Sequence, residues 1–341
     1  MRELFRKLHD MIRAGEDVVL VTIVATSGSV PRGSGARMLV TKQGRLCGTI
    51  GGGAIEYESI AVAGKVLSER MSRSEYFSLH KNDVADIGMI CGGDANVFFR
   101  FCAGKDAGIL QMCDLIETLF AKHSECFLIT ETTEMADGAI AARSADGRFA
   151  GDDLPDAVLK QLPEQPQTFS YQDRTFYVEK IVRPGCVYIF GGGHIARELV
   201  PVLARCDFAC VVVEDREDYA DAALFDHLAE TVCLPVDEMS PVTEKITKDD
   251  FVCIMTRGHR NDYRAMFEAL KTPACYIGVI GSRSKIADTR ARLMEDGYTE
   301  AEIDRITAPI GLPIQSKTPA EIAVSIAAQL ILVRAKQQAS L

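Results

Sequence analysis

Basic charge is in short supply: 38 Lys and Arg stand against 48 Asp and Glu, a formal net charge of −10. Counterion release from a basic face drives association with nucleic acid, so this balance excludes nucleic acid as the expected partner and leaves room only for a local basic pocket. Long apolar runs are missing as well, which excludes a membrane-spanning helix, and residues 1–13 lack the apolar core of a secretory signal. The eleven cysteines form no Cys-x-x-Cys pair and no regular framework, and the six histidines are dispersed. That argues against a structural zinc site and for free thiols in a reducing compartment. A cytoplasmic location is the expectation. What is present is ordinary globular composition, 47% hydrophobic and 25% charged over 341 residues, a length that suits two domains with a core each.

The most informative stretch is residues 187–196, an apolar run that meets Gly191, Gly192 and Gly193 and then a helical pattern from His194. Gly191, Gly193 and Ala196 fill the small positions of a G-x-G-x-x-A dinucleotide fingerprint. The first allows a tight turn, the second a backbone bare enough for a pyrophosphate, the third close helix-on-strand packing. A second apolar run, 209–213, ends in Glu214 near the expected spacing of about 20 residues, placed to hold a ribose hydroxyl pair. Arg216 leaves the choice between NAD and NADP open. The alternative is that the glycines serve only a tight α/β turn.

Upstream, Leu4, Phe5, Leu8, Met11 and Ile12 recur at helical spacing before Gly15. Residues 18–26, near-continuously apolar and β-branched, suit a buried central strand. Gly, Ser and Pro then break every periodicity over residues 27–37. Amides and small side chains of such a loop can approach an anion, with Arg32 and Arg37 as paired donors; a solvated turn is the other reading. A hairpin over 38–50 runs into Gly51, Gly52 and Gly53, which open a helix whose first amides can also face an anion. Glu56, in that first turn, suits the helix dipole without any further role. Cys91, followed by Gly92 and Gly93, is the thiol most open to backbone donors, which lower a thiol pKa. Residues 107–171 read as scaffold, and a domain boundary falls near residue 181.

Beyond that boundary, strands near 187, 209, 231, 251 and 274 interleave with helical patterns, the order of a doubly wound parallel sheet. In such a sheet ligands sit beyond the carboxyl ends of the strands. The loops there hold Thr256, Arg257, His259 and Asp262, then Gly281, Ser282 and Arg283. His259 and Asp262 read either as an acid-base pair or as a solvated side chain and a helix cap. The last helix is signposted by Thr318 as N-cap, Pro319 in its first turn and Glu321 closing a capping box, with Ile322, Ile326, Leu330 and Val333 along one face.

Together these motifs resemble the xanthine dehydrogenase accessory protein family, XdhC/CoxI-like. The resemblance rests on residues 26–32 with Gly35, Ala36 and Arg37; residues 51–56; Cys91, Gly92 and Gly93; residues 190–194; residues 213–216; Tyr276, Ile277 and Gly278 with Gly281, Ser282 and Arg283; and residues 318–323. Each is unspecific alone, whereas their order along the chain is not. Gly192 departs from the pattern, where Ala or another small residue is expected. The fold expected is an N-terminal α/β domain over 1–181 and a C-terminal Rossmann-like doubly wound parallel sheet over 182–341.

Such a resemblance implies an accessory factor for molybdenum hydroxylases such as xanthine dehydrogenase. It would bind the molybdenum-pterin cofactor, protect it while a cysteine desulfurase exchanges oxygen for sulfur, and deliver it to the apo-enzyme. The cofactor-binding residues are then Arg32, Arg37, Gly51, Gly52, Gly53, Cys91, Gly92 and Gly93, with Gly191, Gly193, His194, Glu214, Gly281, Ser282 and Arg283 in the second domain. Cys91 is the candidate molybdenum contact. NAD(P) or another nucleotide is the candidate ligand of the Rossmann-like domain. A homodimer without turnover of its own is expected, and no residue is assigned to catalysis. Two readings from other classes remain: an NAD(P)-dependent oxidoreductase with His259 as proton donor, and an assembly factor acting through its surface.

Overall fold

In the computed structural model, which describes residues 1–79, 92–122, 124–133, 138–182, 185–281 and 283–339, the chain divides into two units, Met1–Arg183 and Pro184–Leu341. The first opens with α1 (Arg2–Ala14), which buries Leu4, Phe5, Leu8 and Ile12 and stops where Gly15, at φ +89°, returns its amide to the Ile12 carbonyl.

Five antiparallel strands follow: β1 (Val18–Gly28), β2 (Arg37–Thr41), β3 (Gly44–Gly48), β4 (Arg73–Ser78) and β5 (Gly93–Cys102), in the order β3-β2-β1-β5-β4. The expected apolar strand is the centre of this sheet. Its alternate residues feed two cores, Val19, Val21 and Ile23 facing α2 (Gly53–Glu69) while Val18 and Leu20 face α1 and α3 (Ala107–Ala121). β4 escapes a pattern reading because it is a polar edge strand in which only Phe77 is buried.

On the far side of α1 and α3 lies a second antiparallel sheet. Its strands are β6 (Cys126–Glu131), β7 (Ile140–Ser144), β8 (Phe149–Gly151), β9 (Gln167–Tyr171) and β10 (Arg174–Val182), ordered β8-β7-β6-β10-β9. Its Phe127, Ile129, Phe176 and Val178 pack instead around Val158 of the short helix α4 (Asp156–Leu159).

The second unit is the parallel, doubly wound sheet read from the alternation. Its elements are β11 (Cys186–Phe190), α5 (His194–Arg205), β12 (Ala209–Glu214), β13 (Glu230–Cys233), α6 (Ser240–Thr243), β14 (Phe251–Ile254), α7 (His259–Leu270), β15 (Tyr276–Val279), α8 (Arg283–Glu295), α9 (Glu300–Ile303), β16 (Ile306–Thr307) and α10 (Pro319–Ala339). The strand order β13-β12-β11-β14-β15-β16 reverses direction between β11 and β14, and that switch point is where open α/β sheets take ligands. Val187 and Ile189 face α5 and α10, while Tyr188 and Phe190 face α7. α10 starts as its sequence specifies, the Thr318 amide bonded to the Glu321 carboxylate at 3.0 Å. Among the described residues no helix is long and apolar enough to cross a membrane, and no cluster of three metal-ligating side chains occurs.

Candidate functional site

In the first unit three of the sequence motifs converge on the loop after β1. Pairing of β1 with β5 sets Gly28 opposite Gly93, and the approach is backbone on backbone: a Cβ on Gly93 would fall 2.4 Å from the Ser27 carbonyl oxygen. On its other side the loop meets Gly51, where a Cβ would stand 2.8 Å from Pro31. The loop is thus clasped between two glycine segments that are distant in sequence. Arg32 is exposed on it, and Gly33 and Gly52 open onto free space. Beside it lies a cavity of about 560 Å³ whose lining includes Arg32, Ser34, Gly35, Cys47 and Thr49, a volume typical of small-ligand sites.

The two arginines of the loop part company. Arg37 borders the cavity, but its side chain is only 1% exposed and forms an ion pair with Glu179 of β10. Its Nη1 also donates to the Gly35 carbonyl at 3.1 Å. A buried guanidinium demands such a partner, so Arg37 fastens the loop to the second sheet. The sequence offered it as a ligand donor on a par with Arg32. Nothing local marks Glu179, 142 residues away.

The glycine turn at residues 51–53 holds a carboxylate from its own helix. Glu56 Oε2 accepts from the Thr49 hydroxyl at 2.5 Å, the Gly52 amide at 3.1 Å and the Ile50 amide at 3.2 Å, while Oε1 pairs with Arg45 at 3.0 Å. Burial pushes the carboxyl pKa up, and these donors together bring it below the usual value. The dipole argument for Glu56 understates its role, because the side chain reaches back over the amides that an outside anion would use.

At the switch point of the second unit, Gly191 sits at φ +116°, and a Cβ there would meet the Met255 carbonyl oxygen at 2.3 Å. Gly192 is equally constrained, 2.3 Å from the Tyr219 carbonyl oxygen. That close approach explains why glycine replaces the larger small residue expected there. Gly193 is open: nothing lies within 4 Å of its Cβ position, and His194 beyond it is exposed as the first residue of α5.

Glu214 ends β12 beside this turn, as its spacing requires, with both oxygens engaged. Oε2 accepts from the Gly192 amide at 2.9 Å and from Arg216 Nη2 at 3.0 Å; Oε1 accepts from Arg216 Nε at 2.9 Å and the Asp215 amide at 3.1 Å. Burial opposes ionisation, but Arg216 first, then Asp215 and the Gly192 amide, hold its pKa at about 2. Arg216 in turn stacks 3.6 Å over the Tyr219 ring. Across the switch point Arg257 pairs with Asp215 at 2.9 Å, and the Asp262 carboxylate accepts from the Thr256 hydroxyl at 2.6 Å and its amide at 3.1 Å. α7 begins at His259, so Asp262 lies in its first turn with His259 exposed. The cleft between Gly191, Glu214, Thr256 and Arg257 has a volume of about 10 Å³, room for one water. Gly281 follows β15 at the same end of the sheet. Cys91 and Ser282, and the side chain of Arg283, lie outside the described residues.

The family described as XdhC Rossmann domain matches residues 187–330, and that described as XdhC and CoxI matches residues 11–78. Among curated relatives, an uncharacterized protein of Escherichia coli, YqeB, is 25% identical over 317 residues, 92% of this chain. The chain spans only 43% of that protein's length. A protein of Bacillus subtilis named as a probable xanthine dehydrogenase subunit is 24% identical over 336 residues, 96% of each chain. The molybdenum cofactor insertion chaperone PaoD of Escherichia coli is 22% identical over 339 residues, 99% of this chain and 90% of that one. A crystal structure described as a xanthine dehydrogenase from Bacillus halodurans superposes with a TM-score of 0.79 at 24% identity, covering 99% of this chain and 98% of the other. That likeness bears on the fold.

Proposed function

The chain belongs to the XdhC and CoxI family, and from that premise we propose that it serves the maturation of molybdenum hydroxylases. In this reading it takes the molybdenum-pterin cofactor as cargo and holds it while a cysteine desulfurase supplies sulfur. It then passes the cofactor, as a homodimer, to an apo-enzyme such as xanthine dehydrogenase. The observation that carries the reading is the convergence of two glycine segments, distant in sequence, on the Arg32 loop beside a cavity of about 560 Å³.

The donor set fits a phosphorylated pterin. Arg32 supplies an exposed planar cation, and the open backbone at Gly33 beside it admits a phosphate closely. Gly92, packed beside Ser27–Ser29 through Gly28, is next in the chain to Cys91, whose thiolate is the soft ligand for the metal. Arg37 and Glu56 belong to the scaffold of this site. The names borne by two relatives, a cofactor insertion chaperone and a probable xanthine dehydrogenase component, point the same way.

A second ligand, a nucleotide in the parallel-sheet unit, is favoured by one specific observation: Gly193 and the start of α5 face open space at the switch point. The decisive experiment purifies the chain from a cell that makes the cofactor and measures molybdenum and pterin per chain for the parent and Arg32→Ala. Near-stoichiometric cofactor in the parent and its loss in the variant is the expected result. Absence of both from the parent overturns the reading, and bound nicotinamide nucleotide with measurable hydride transfer replaces it with an oxidoreductase.

A further inference from the structure

α10 is apolar almost all the way round, and only part of that surface is covered. Ala323, Ile326, Ala327 and Leu330 are buried in the core shared with α5. On the other side Val324 is 51% exposed, Ile331 39% and Leu332 42%, with Ala320 and Ala335 also exposed and Ala328 half-buried. Among the described residues, three of the ten large apolar side chains left exposed in the chain therefore lie on this one helix. Scattered exposed apolar residues are ordinary, whereas a contiguous set marks an interaction surface, and a helix apolar on all sides is normally covered on all sides.

We propose that this face of α10 is the interface of a two-fold homodimer, packed antiparallel against the same helix of a second copy. The inference rests on the homodimer reading above and names its surface. Two features select a second copy as occupant. Val324, Ala328, Ile331 and Ala335 recur in steps of four, three and four, the seam spacing of paired helices. Larger and smaller residues alternate along that seam. Antiparallel pairing sets Val324 against the partner's Ala335 and Ala328 against the partner's Ile331, one small side chain under one large at every level. The charges agree: the first turn carries Glu321 and the last turn Lys336. Antiparallel helices bring opposite charges and opposite dipole ends together, where parallel ones would bring like with like.

Sedimentation equilibrium of the full chain tests this with the parent, Val324→Glu, Ile331→Glu and, as a control, Met294→Glu on α8, where Met294 is 46% exposed. All substituted side chains are exposed, so unfolding temperatures should stay close to the parent's. The parent is expected to be a dimer, each seam variant to raise the dimer dissociation constant at least about tenfold, and the control to change nothing. A dimer indifferent to both seam variants overturns this interface and leaves the homodimer reading standing. A monomeric parent overturns both, and if its seam variants fail only in transfer to the hydroxylase, the face belongs to the client enzyme instead.

Discussion

At residues 51–53 the carboxylate that fills the glycine turn comes from inside the helix the turn begins, whereas at residues 191–193 it comes from the neighbouring strand. Glu56, on the first turns of α2, folds back over the amides of Ile50 and Gly52 and the hydroxyl of Thr49, so the mouth of that helix is occupied. Glu214, at the end of β12, takes only the Gly192 amide of its turn and leaves Gly193 and the start of α5 clear. Each carboxylate is balanced by an arginine, Arg45 or Arg216. Similar glycine content therefore leaves different amides open. In the proposed reading an anion is met from the side in the first unit, at Arg32, and head-on in the second, at the start of α5.

The largest expected effect breaks the comparison at the backbone. Gly191→Ala adds a Cβ 2.3 Å from a carbonyl oxygen at φ +116°, which should cost about 3 kcal/mol or more. Gly52→Ala, at φ +72° and ψ −172° with nothing within 4 Å, carries the conformational strain alone, about 1–3 kcal/mol. Urea unfolding measures both, and equal losses would mean that close approach is not what fixes the second turn.

Acid sharpens it. Glu214 is held at a pKa of about 2 in the folded chain, against roughly 4.3 in an unfolded one. A depressed folded pKa contributes stability above the unfolded value that is lost as pH falls. Parent and Glu214→Gln should therefore differ by roughly 2–3 kcal/mol at pH 6 and converge as pH falls from about 5 towards 2. Glu56, whose pKa is lowered without so large a departure, should give a smaller convergence with Glu56→Gln. A constant gap across that range would remove ionised Glu214 as the source.

Smaller stability effects, with larger effects on ligand, are expected where the turns are open. Arg32→Ala and Gly193→Val should each leave unfolding within about 0.5 kcal/mol of the parent. The first should lose cofactor, and the second should lose nucleotide binding in calorimetry with NAD and NADP. A folded Gly193→Val variant that binds as tightly as the parent takes this turn out of the site. Smallest in stability is Cys91→Ser, expected to fold as the parent does while retaining less molybdenum and reconstituting less client hydroxylase. Full retention and transfer by that variant would defeat the thiol contact.

Much of the framework was readable beforehand because its causes are local. The spacing of Leu4, Phe5, Leu8 and Ile12, the capping pair of Thr318 and Glu321, and the alternation of apolar strands with helices each act within a few residues. They name α1, α10 and the parallel sheet directly. β4, β16 and α8 were not readable: β4 is polar at an edge, β16 has two residues, and α8 is a charged stretch with little one-sidedness.

Sequence alone determined that the chain carries a glycine turn after an apolar strand with a carboxylate near the spacing of a ribose ligand, and an arginine-bearing loop between two further glycine clusters. Only the tertiary structure decided what those charges do. Arg32, in the loop, and Arg37, five positions on at the start of β2, part company: one faces water and the other is buried against Glu179. Glu214, read as placed to hold a ribose hydroxyl pair, has both oxygens engaged by Arg216 and by the amides of Gly192 and Asp215. The reason is the cost of burying charge: an ionised side chain removed from water must find its counter-charge or amide within hydrogen-bond reach. For Arg37 that partner, Glu179, stands 142 residues away, so what is within reach depends on how distant strands are laid side by side, and no local pattern records that.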